Sequence, residues 1–268
     1  MNLEARAPAH AQEAIHAFLR AHALADGIEG AVVGLSGGID SALVARLACD
    51  ALGPSKVLGV LLPDSSYAPA LLAETESYGA SLGIATERRS IDGIERAIRT
   101  VLPETTDRVA VGNVKARIRM MLVYAIAREH HRLVLGTGNK SELLLGYFTK
   151  WGDGGADLLP LGDLYKTGVR ELAEELGLPG PIRERPPTAG LWEGQTDEED
   201  LGLPYERIDR VLLGFERLLS DEEIARRTGE PVATVASIGA RIRASRHKRR
   251  MPPIPKLSLR TIGLDWRE

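Results

Sequence analysis

GLSGGIDS, residues 34–41, joins two unlike stretches of chain. Before the motif, AVVGL (31–35) is short and wholly apolar, the composition of a strand buried on both faces. After it, Ala42–Leu52 reads as a helix that stops at Gly53. A strand that runs through paired glycines into a helix is built to take a phosphate group. Gly37 and Gly38 can adopt unusual backbone angles and put no side chain between the backbone and a ligand. The helix start offers N–H groups without intrahelical partners at the positive end of the helix dipole. Ser36 and Ser41 add hydroxyl donors. Asp40 would repel a bare phosphate, and it makes sense where Mg2+ bridges carboxylate and phosphate oxygens. The loop is not of the Walker A type, because Ile39 stands where the second glycine is required and no lysine follows. No GxGxxG fingerprint is present either, since GTGNKS (136–141) has Ser141 at the third glycine position.

Working outward, strand and helix patterns alternate. KVLGVLL (56–62) predicts a second strand, Pro69–Leu82 a helix, Ile84–Ser90 a third strand and Asp92–Val101 a helix. Asn113–His130 predicts a long helix with Val114, Ile118, Met121, Leu122 and Ala125 at helical spacing. Leu133–Leu135 is a further strand, and Ser141–Phe148 reads as helical. KWGDGGADLLPLGD (150–163) is too rich in glycine for anything but a loop, and Thr167–Leu176 is a helix stopped by Gly177. Helices are also expected over Tyr205–Leu218, Ser220–Arg227 and around Ala233–Ala244. At the N-terminus, Ile15, Phe18 and Leu19 share one face of an amphipathic helix. The alternation implies an α/β fold: a doubly wound parallel sheet flanked by helices, with further helices toward the C-terminus, and residues 1–268 forming a single domain. Residues 183–202, rich in Pro, Gly and acid, are expected to be a mobile lid loop.

Composition narrows the class. The chain has 268 residues, 44% of them apolar, and a formal net charge of −3, which argues against a protein built mainly for nucleic acid. The lone Cys49 excludes an internal disulfide and a cysteine-based zinc site and fits a reducing compartment. No apolar run of about 18 residues predicts a membrane span. The N-terminus lacks the apolar core of a signal peptide, so the cytoplasm is the expected location.

SGGIDS is similar to the PP-loop of the N-type ATP pyrophosphatases, adenine-nucleotide α-hydrolase-like enzymes that cut ATP between its α and β phosphates. NVKARIRM (113–120), GTGNKSE (136–142), FTKWGDGGADLLPLGDLYK (148–166), PPTAGL (186–191) and RHKRRMPP (246–253), in that order, resemble the NAD synthetases within that group. The resemblance implies that Gly34, Leu35, Ser36, Gly37, Gly38, Ile39, Asp40 and Ser41 bind the ATP phosphates. It implies that Asp40 and Glu142 hold Mg2+, and that Thr137, Lys166 and Thr188 contact ATP. Arg117, Lys150, Asp157, His247 and Lys248 match positions that contact deamido-NAD. Asp40 and Lys166 are the implied catalytic pair. The implied reaction is attack of the nicotinate carboxylate on the α-phosphorus, then attack of ammonia on the acyl adenylate, giving NAD, AMP and pyrophosphate. The resemblance also implies a homodimer, and the absence of a glutaminase domain points to free ammonia as donor. One departure concerns the adenine: LLPDSSYAP (61–69) contains no Arg or Lys, where many members of the family carry a basic residue.

Two other readings stand beside this one. Another PP-loop ligase, such as a GMP synthetase-like core, shares the phosphate loop but leaves GDGGADLLPLGDLYK unexplained. From a different class, Ser220–Ser245 resembles a helix-turn-helix. Ser220 and Glu223 form a capping-box pattern, Gly229 lies at the turn, and the basic run RASRHKRR (243–250) follows.

Overall fold

A computed structural model describes residues 3–24, 27–103, 107–192, 194–262 and 265. Among these, the helices are α1 (Ala11–Ala23), α2 (Ile39–Leu52), α3 (Pro69–Ser81), α4 (Asp92–Val101), α5 (Arg108–Glu129) and α6 (Lys140–Leu145). They continue with α7 (Lys166–Glu175), α8 (Gly180–Arg183), α9 (Asp197–Leu201), α10 (Tyr205–Glu216), α11 (Asp221–Thr228) and α12 (Val232–Ala244). The strands are β1 (Ala31–Gly34), β2 (Val57–Leu61), β3 (Ala85–Arg88) and β4 (Leu133–Leu135).

The four strands form one parallel sheet in the order β3-β2-β1-β4. β2 is buried along its whole length, as a strand covered on both faces must be. β3, with the sequence ATER, is an edge strand and largely exposed. Helices cover both faces, which makes the sheet doubly wound as the alternation predicts. One core joins α1, α2 and α7 to the side chains of Ala31, Val33, Val57 and Leu61. The opposite core joins α4 and α5 to Val32, Leu58, Val60 and Val134. A third cluster, built on Ile208, Val211, Leu212, Ile224, Val235 and Ile238, gathers α10, α11 and α12 beside α6.

Several boundaries and faces differ from the sequence expectation. Helix α2 begins at Ile39, inside the glycine motif, so Asp40 and Ser41 lie in its first turn. On α1, Ile15 and Leu19 are buried, but Phe18 is exposed and its ring packs near that of His22 at 4.8 Å. The buried positions of α5 are Gly112, Ala116, Ile118, Val123, Ile126 and Ala127. Met121 is exposed, so the expected stripe was rotated from the true one. The glycine-rich stretch after residue 150 does more than loop: Leu158 bridges Leu135 in parallel and covers the free edge of β4. The expected lid contains a short helix, α9, within its second half. The helix-turn-helix pattern does form, with Ser220 capping Glu223 at 3.2 Å and Gly229 left-handed at φ +80. Its inner residues Ile224 and Val235 are fully buried, so this helix pair is a packing unit for α10. No helix among the described residues is long and apolar enough to cross a membrane.

Candidate active site

β1 and β4 are neighbours, yet the chain leaves them toward opposite ends of the sheet order. The crevice beyond the carboxyl ends of two such strands is where open α/β sheets take ligands. Two segments line it here: residues 35–41 after β1 and residues 136–142 after β4.

The first segment turns tightly. Gly37 has φ +75, and a Cβ there would stand 2.6 Å from Leu71 Cδ1 and 2.8 Å from Thr75 Oγ1. Only glycine fits both the backbone angle and the space. Ser41 stitches the turn: its Oγ accepts from the Ser36 amide at 3.2 Å and donates to the Gly38 carbonyl at 3.0 Å. Among the described residues no side chain caps α2, so the amides of Ile39, Asp40 and Ser41 stand at the crevice without helical partners. Helix α6 is built the other way. Asn139 and Glu142 form a reciprocal capping box, with the Glu142 amide on Asn139 Oδ1 at 3.1 Å and the Asn139 amide on Glu142 Oε2 at 3.2 Å.

The two segments meet at Lys166, the first residue of α7. Its Nζ lies 2.5 Å from Asp40 Oδ2 and 3.3 Å from Glu142 Oε1, and its side chain is only 2% exposed. Asn139 adds a direct link, donating from Nδ2 to Asp40 Oδ1 at 2.9 Å. A third carboxylate, Asp197 of α9, is buried nearby; it accepts from the Tyr205 hydroxyl at 3.2 Å, while its Oδ1 has no partner among the described residues. The electrostatics follow from this crowding. Burial pushes the Glu142 carboxyl well above the usual carboxylate range; Lys166 opposes this, and the charges of Asp40 and Asp197 add to it. Burial works against the Lys166 ammonium, but the carboxylates of Asp40 and Glu142 outweigh it and hold its pKa above that of a free lysine. Asp197 is likewise raised, first by burial. Among the described residues Lys166 is the ammonium that Asp40 and Glu142 share.

The residue that holds this arrangement in place is not among those the family resemblance implies. Asp209 of α10 is fully buried and accepts from Ser141 Oγ at 2.5 Å and from the Thr167 amide at 2.9 Å. Ser141 Oγ also accepts from the Lys166 amide at 2.9 Å. One carboxylate thus orders the starts of both α6 and α7. A signal existed: Asp209 interrupts an apolar stripe made by Tyr205, Ile208 and Leu212.

The residues matched to dinucleotide contacts divide. Arg117, Lys150 and His247 come together: Arg117 donates to the Lys150 carbonyl at 3.3 Å, and Lys150 Nζ to the His247 carbonyl at 2.8 Å. Lys248 is turned into the end of α6, donating to the carbonyls of Gly146 at 2.7 Å and Phe148 at 2.8 Å. Asp157 lies at the edge of β4, accepting from the Val134 amide at 2.8 Å and from the Tyr124 hydroxyl at 3.1 Å. Thr137 lines a cavity with Glu142, Phe148 and Asp153. Thr188 is exposed and bonded to the Gly190 amide at 3.0 Å. The loop over residues 61–69 lacks a basic residue of its own, but α5 supplies two. Arg119 donates to the Leu62 carbonyl and to Asp64, and Lys115 reaches the same carboxylate, each at 3.0 Å.

An uncapped helix start beneath a glycine turn, at the switch point of a parallel sheet, with an acid–lysine–acid bridge across the crevice, defines a PP-loop nucleotide-binding α/β protein. The NAD synthase family profile matches residues 11–252, and the chain belongs to that family. It is 48% identical over 251 residues to the NH(3)-dependent NAD(+) synthetase of Methanosarcina mazei, covering 92% of this chain and 98% of the relative. Among solved structures it resembles the NH3-dependent NAD synthetase of Campylobacter jejuni, with a TM-score of 0.77, 33% identity and coverage of 92% and 97%. It also resembles the NMN synthetase of Francisella tularensis, with a TM-score of 0.80, 34% identity and coverage of 92% and 98%.

Proposed function

We propose that this chain is an ammonia-dependent ligase that converts deamido-NAD to NAD, consuming ATP and releasing AMP and pyrophosphate. The observation that carries the reading is the buried Lys166 ammonium between Asp40 and Glu142, beside the uncapped start of α2.

The chemistry requires activation, because a carboxylate is a poor electrophile. In this reading the nicotinate oxygen forms a bond to the α-phosphorus of ATP, and the bond to the β-phosphate oxygen breaks. The amides of residues 37–41 receive the charge that grows on the departing pyrophosphate, and Lys166 adds a fixed positive charge there. Ammonia then attacks the acyl adenylate, and AMP leaves with the oxygen once held by the carboxylate. Thr137 and Thr188 are the further ATP contacts in this reading. Arg117, Lys150 and His247, already joined to one another, would meet the dinucleotide, with Asp157 and Lys248 at its flanks.

The donor set fits Mg2+. Among the described residues no cluster of three ligands forms a cage, yet Mg2+ commonly takes one or two carboxylates and completes its shell with phosphate oxygens and water. Asp40 and Glu142 are the residues that would hold it, and it would supply Lewis-acid charge on the phosphate oxygens. The convergence of Asp40 and Glu142 on one point beside the phosphate loop supports this assignment.

Residues 183–202 serve as a lid in this reading. Supporting this, Arg108 of α5 stacks on Trp192 at 4.8 Å, and Leu191 fills the notch left by Gly112. We place the working protein in the cytoplasm as a single-domain homodimer that takes ammonia directly and binds neither nucleic acid nor membrane.

The test is a substrate comparison. Protein, MgATP and ammonium are mixed with deamido-NAD, nicotinic acid mononucleotide or xanthosine monophosphate, and the amide and AMP are quantified. NAD formation from deamido-NAD, at a kcat/KM well above the other two, is expected. Preference for the mononucleotide overturns the dinucleotide assignment, and preference for xanthosine monophosphate favours the GMP synthetase-like alternative.

A further inference from the structure

Two carbonyl oxygens of the phosphate loop, those of Ser36 and Gly37, are held from outside the loop. Tyr67, between β2 and α3, donates its hydroxyl proton to the Ser36 carbonyl at 2.8 Å. Arg185, just past α8, donates from Nη1 to the Gly37 carbonyl. Its Nη2 donates to Glu74 of α3 at 2.7 Å, which fixes the guanidinium in place. The next carbonyl, Gly38, is taken by Ser41 Oγ at 3.0 Å and the Ala42 amide at 3.1 Å.

A trans peptide is planar, and its C=O and N–H point in opposite directions. Holding the Ser36 carbonyl outward therefore aims the Gly37 N–H the other way, and holding the Gly37 carbonyl does the same for the Gly38 N–H. Among the described residues the Gly38 N–H meets only Ser36 Oγ, at 3.3 Å, a long contact that a phosphate oxygen would replace with a stronger one. These two peptides border the residues least resistant to rotation, Gly37 at φ +75 and Gly38 at φ −84, ψ 160. A flipped peptide would present a carbonyl dipole to the phosphate and repel it.

We propose that Arg185 and Tyr67 are positioning residues that lock the loop in its anion-accepting form, and that Arg185 couples this form to the segment following α8. The proposal rests on residues 34–41 being the ATP site. A guanidinium suits the task because its planar fork serves two acceptors at once, the Gly37 carbonyl and the Glu74 carboxylate. A lysine at the same place keeps the charge but has no such fork.

The experiment uses the full chain as wild type, Arg185→Ala, Arg185→Lys and Tyr67→Phe. Calorimetric titration with MgATP and with magnesium pyrophosphate is combined with KM values for ATP, deamido-NAD and ammonium, and with melting temperatures. For Arg185→Ala, affinity for both MgATP and pyrophosphate should fall about tenfold to a hundredfold, the range for a lost charged hydrogen bond. KM for deamido-NAD and ammonium should stay within about twofold, and added guanidinium ion should restore part of the ATP affinity. Tyr67→Phe should lose about three- to tenfold in the same two affinities. Arg185→Lys should remain clearly weaker than wild type. If Arg185→Ala does not fold, Tyr67→Phe and Arg185→Lys carry the test. Unchanged MgATP affinity in folded variants overturns the proposal. So does full recovery by lysine, which would mean that charge alone matters, and so does an equal loss for all three substrates. Wild-type protein that binds MgATP but does not amidate deamido-NAD would fail the proposed reaction while leaving this inference standing. Wild-type protein that binds neither MgATP nor pyrophosphate would overturn both.

Discussion

Lys166 Nζ sits 2.5 Å from Asp40 Oδ2, an ion pair that joins the start of α7 to the phosphate loop and leaves the lysine side chain almost without solvent contact. A pair buried this deeply is costly to break from one side, because the partner charge stays desolvated. Lys166→Met should therefore lower folding stability by about 3–5 kcal/mol, measured by urea denaturation. Turnover should fall at least about a hundredfold, as when a charge facing the leaving group is removed. A variant with wild-type stability would mean that Asp40 and Glu142 do not need the ammonium.

Asp209 gives a second prediction, since it touches no expected ligand. Asp209→Ala leaves Ser141 Oγ and the Thr167 amide without their acceptor in a dry setting. The expected loss is about 3 kcal/mol, the sum of two unsatisfied buried donors. Turnover should fall as well, because the residues next to Ser141 and Thr167 are Glu142 and Lys166. Denaturation curves with an unchanged midpoint would contradict this role.

Asp64 makes stability depend on acid. Burial raises its carboxyl, but hydrogen bonds from Ser66 and Lys115, together with the charge of Arg119, outweigh burial and hold it at about 2 against an ordinary 3.8. A depressed carboxyl contributes stability above the unfolded value and loses it as pH falls through the folded value. About 2 kcal/mol should thus be present at neutral pH and disappear between about pH 4 and pH 2. Asp64→Asn should lack that contribution at pH 7 and show a flatter profile in this window. A variant with the same acid profile as wild type would show that the cluster with Lys115 and Arg119 contributes nothing.

Much of this architecture was legible along the chain because it is local. The apolar run of β1, the glycines of residues 37–38 and the helix after them are neighbours in sequence, and their periodicities declare them. Where tertiary contacts decide, local pattern is not enough. Met121 fits a helical stripe on α5 but faces outward, because the helix is rotated to bury Val123, Ile126 and Ala127 instead. Asp209 and Arg185 have meaning only through partners far away in sequence, Ser141 and Gly37. The approach of Arg119 from α5 to the Leu62 carbonyl and Asp64 is likewise set by tertiary contacts.

In the proposed reaction the nicotinate oxygen bonds to the α-phosphorus while the amides of residues 37–41 and Lys166 receive the departing pyrophosphate. Deamido-NAD carrying oxygen-18 in its nicotinate carboxylate tests this directly, with the products of one turnover read by mass spectrometry. One labelled oxygen is expected in the phosphate of AMP and none in pyrophosphate. Label in pyrophosphate or inorganic phosphate, or NAD formed with ADP in place of AMP, would contradict it.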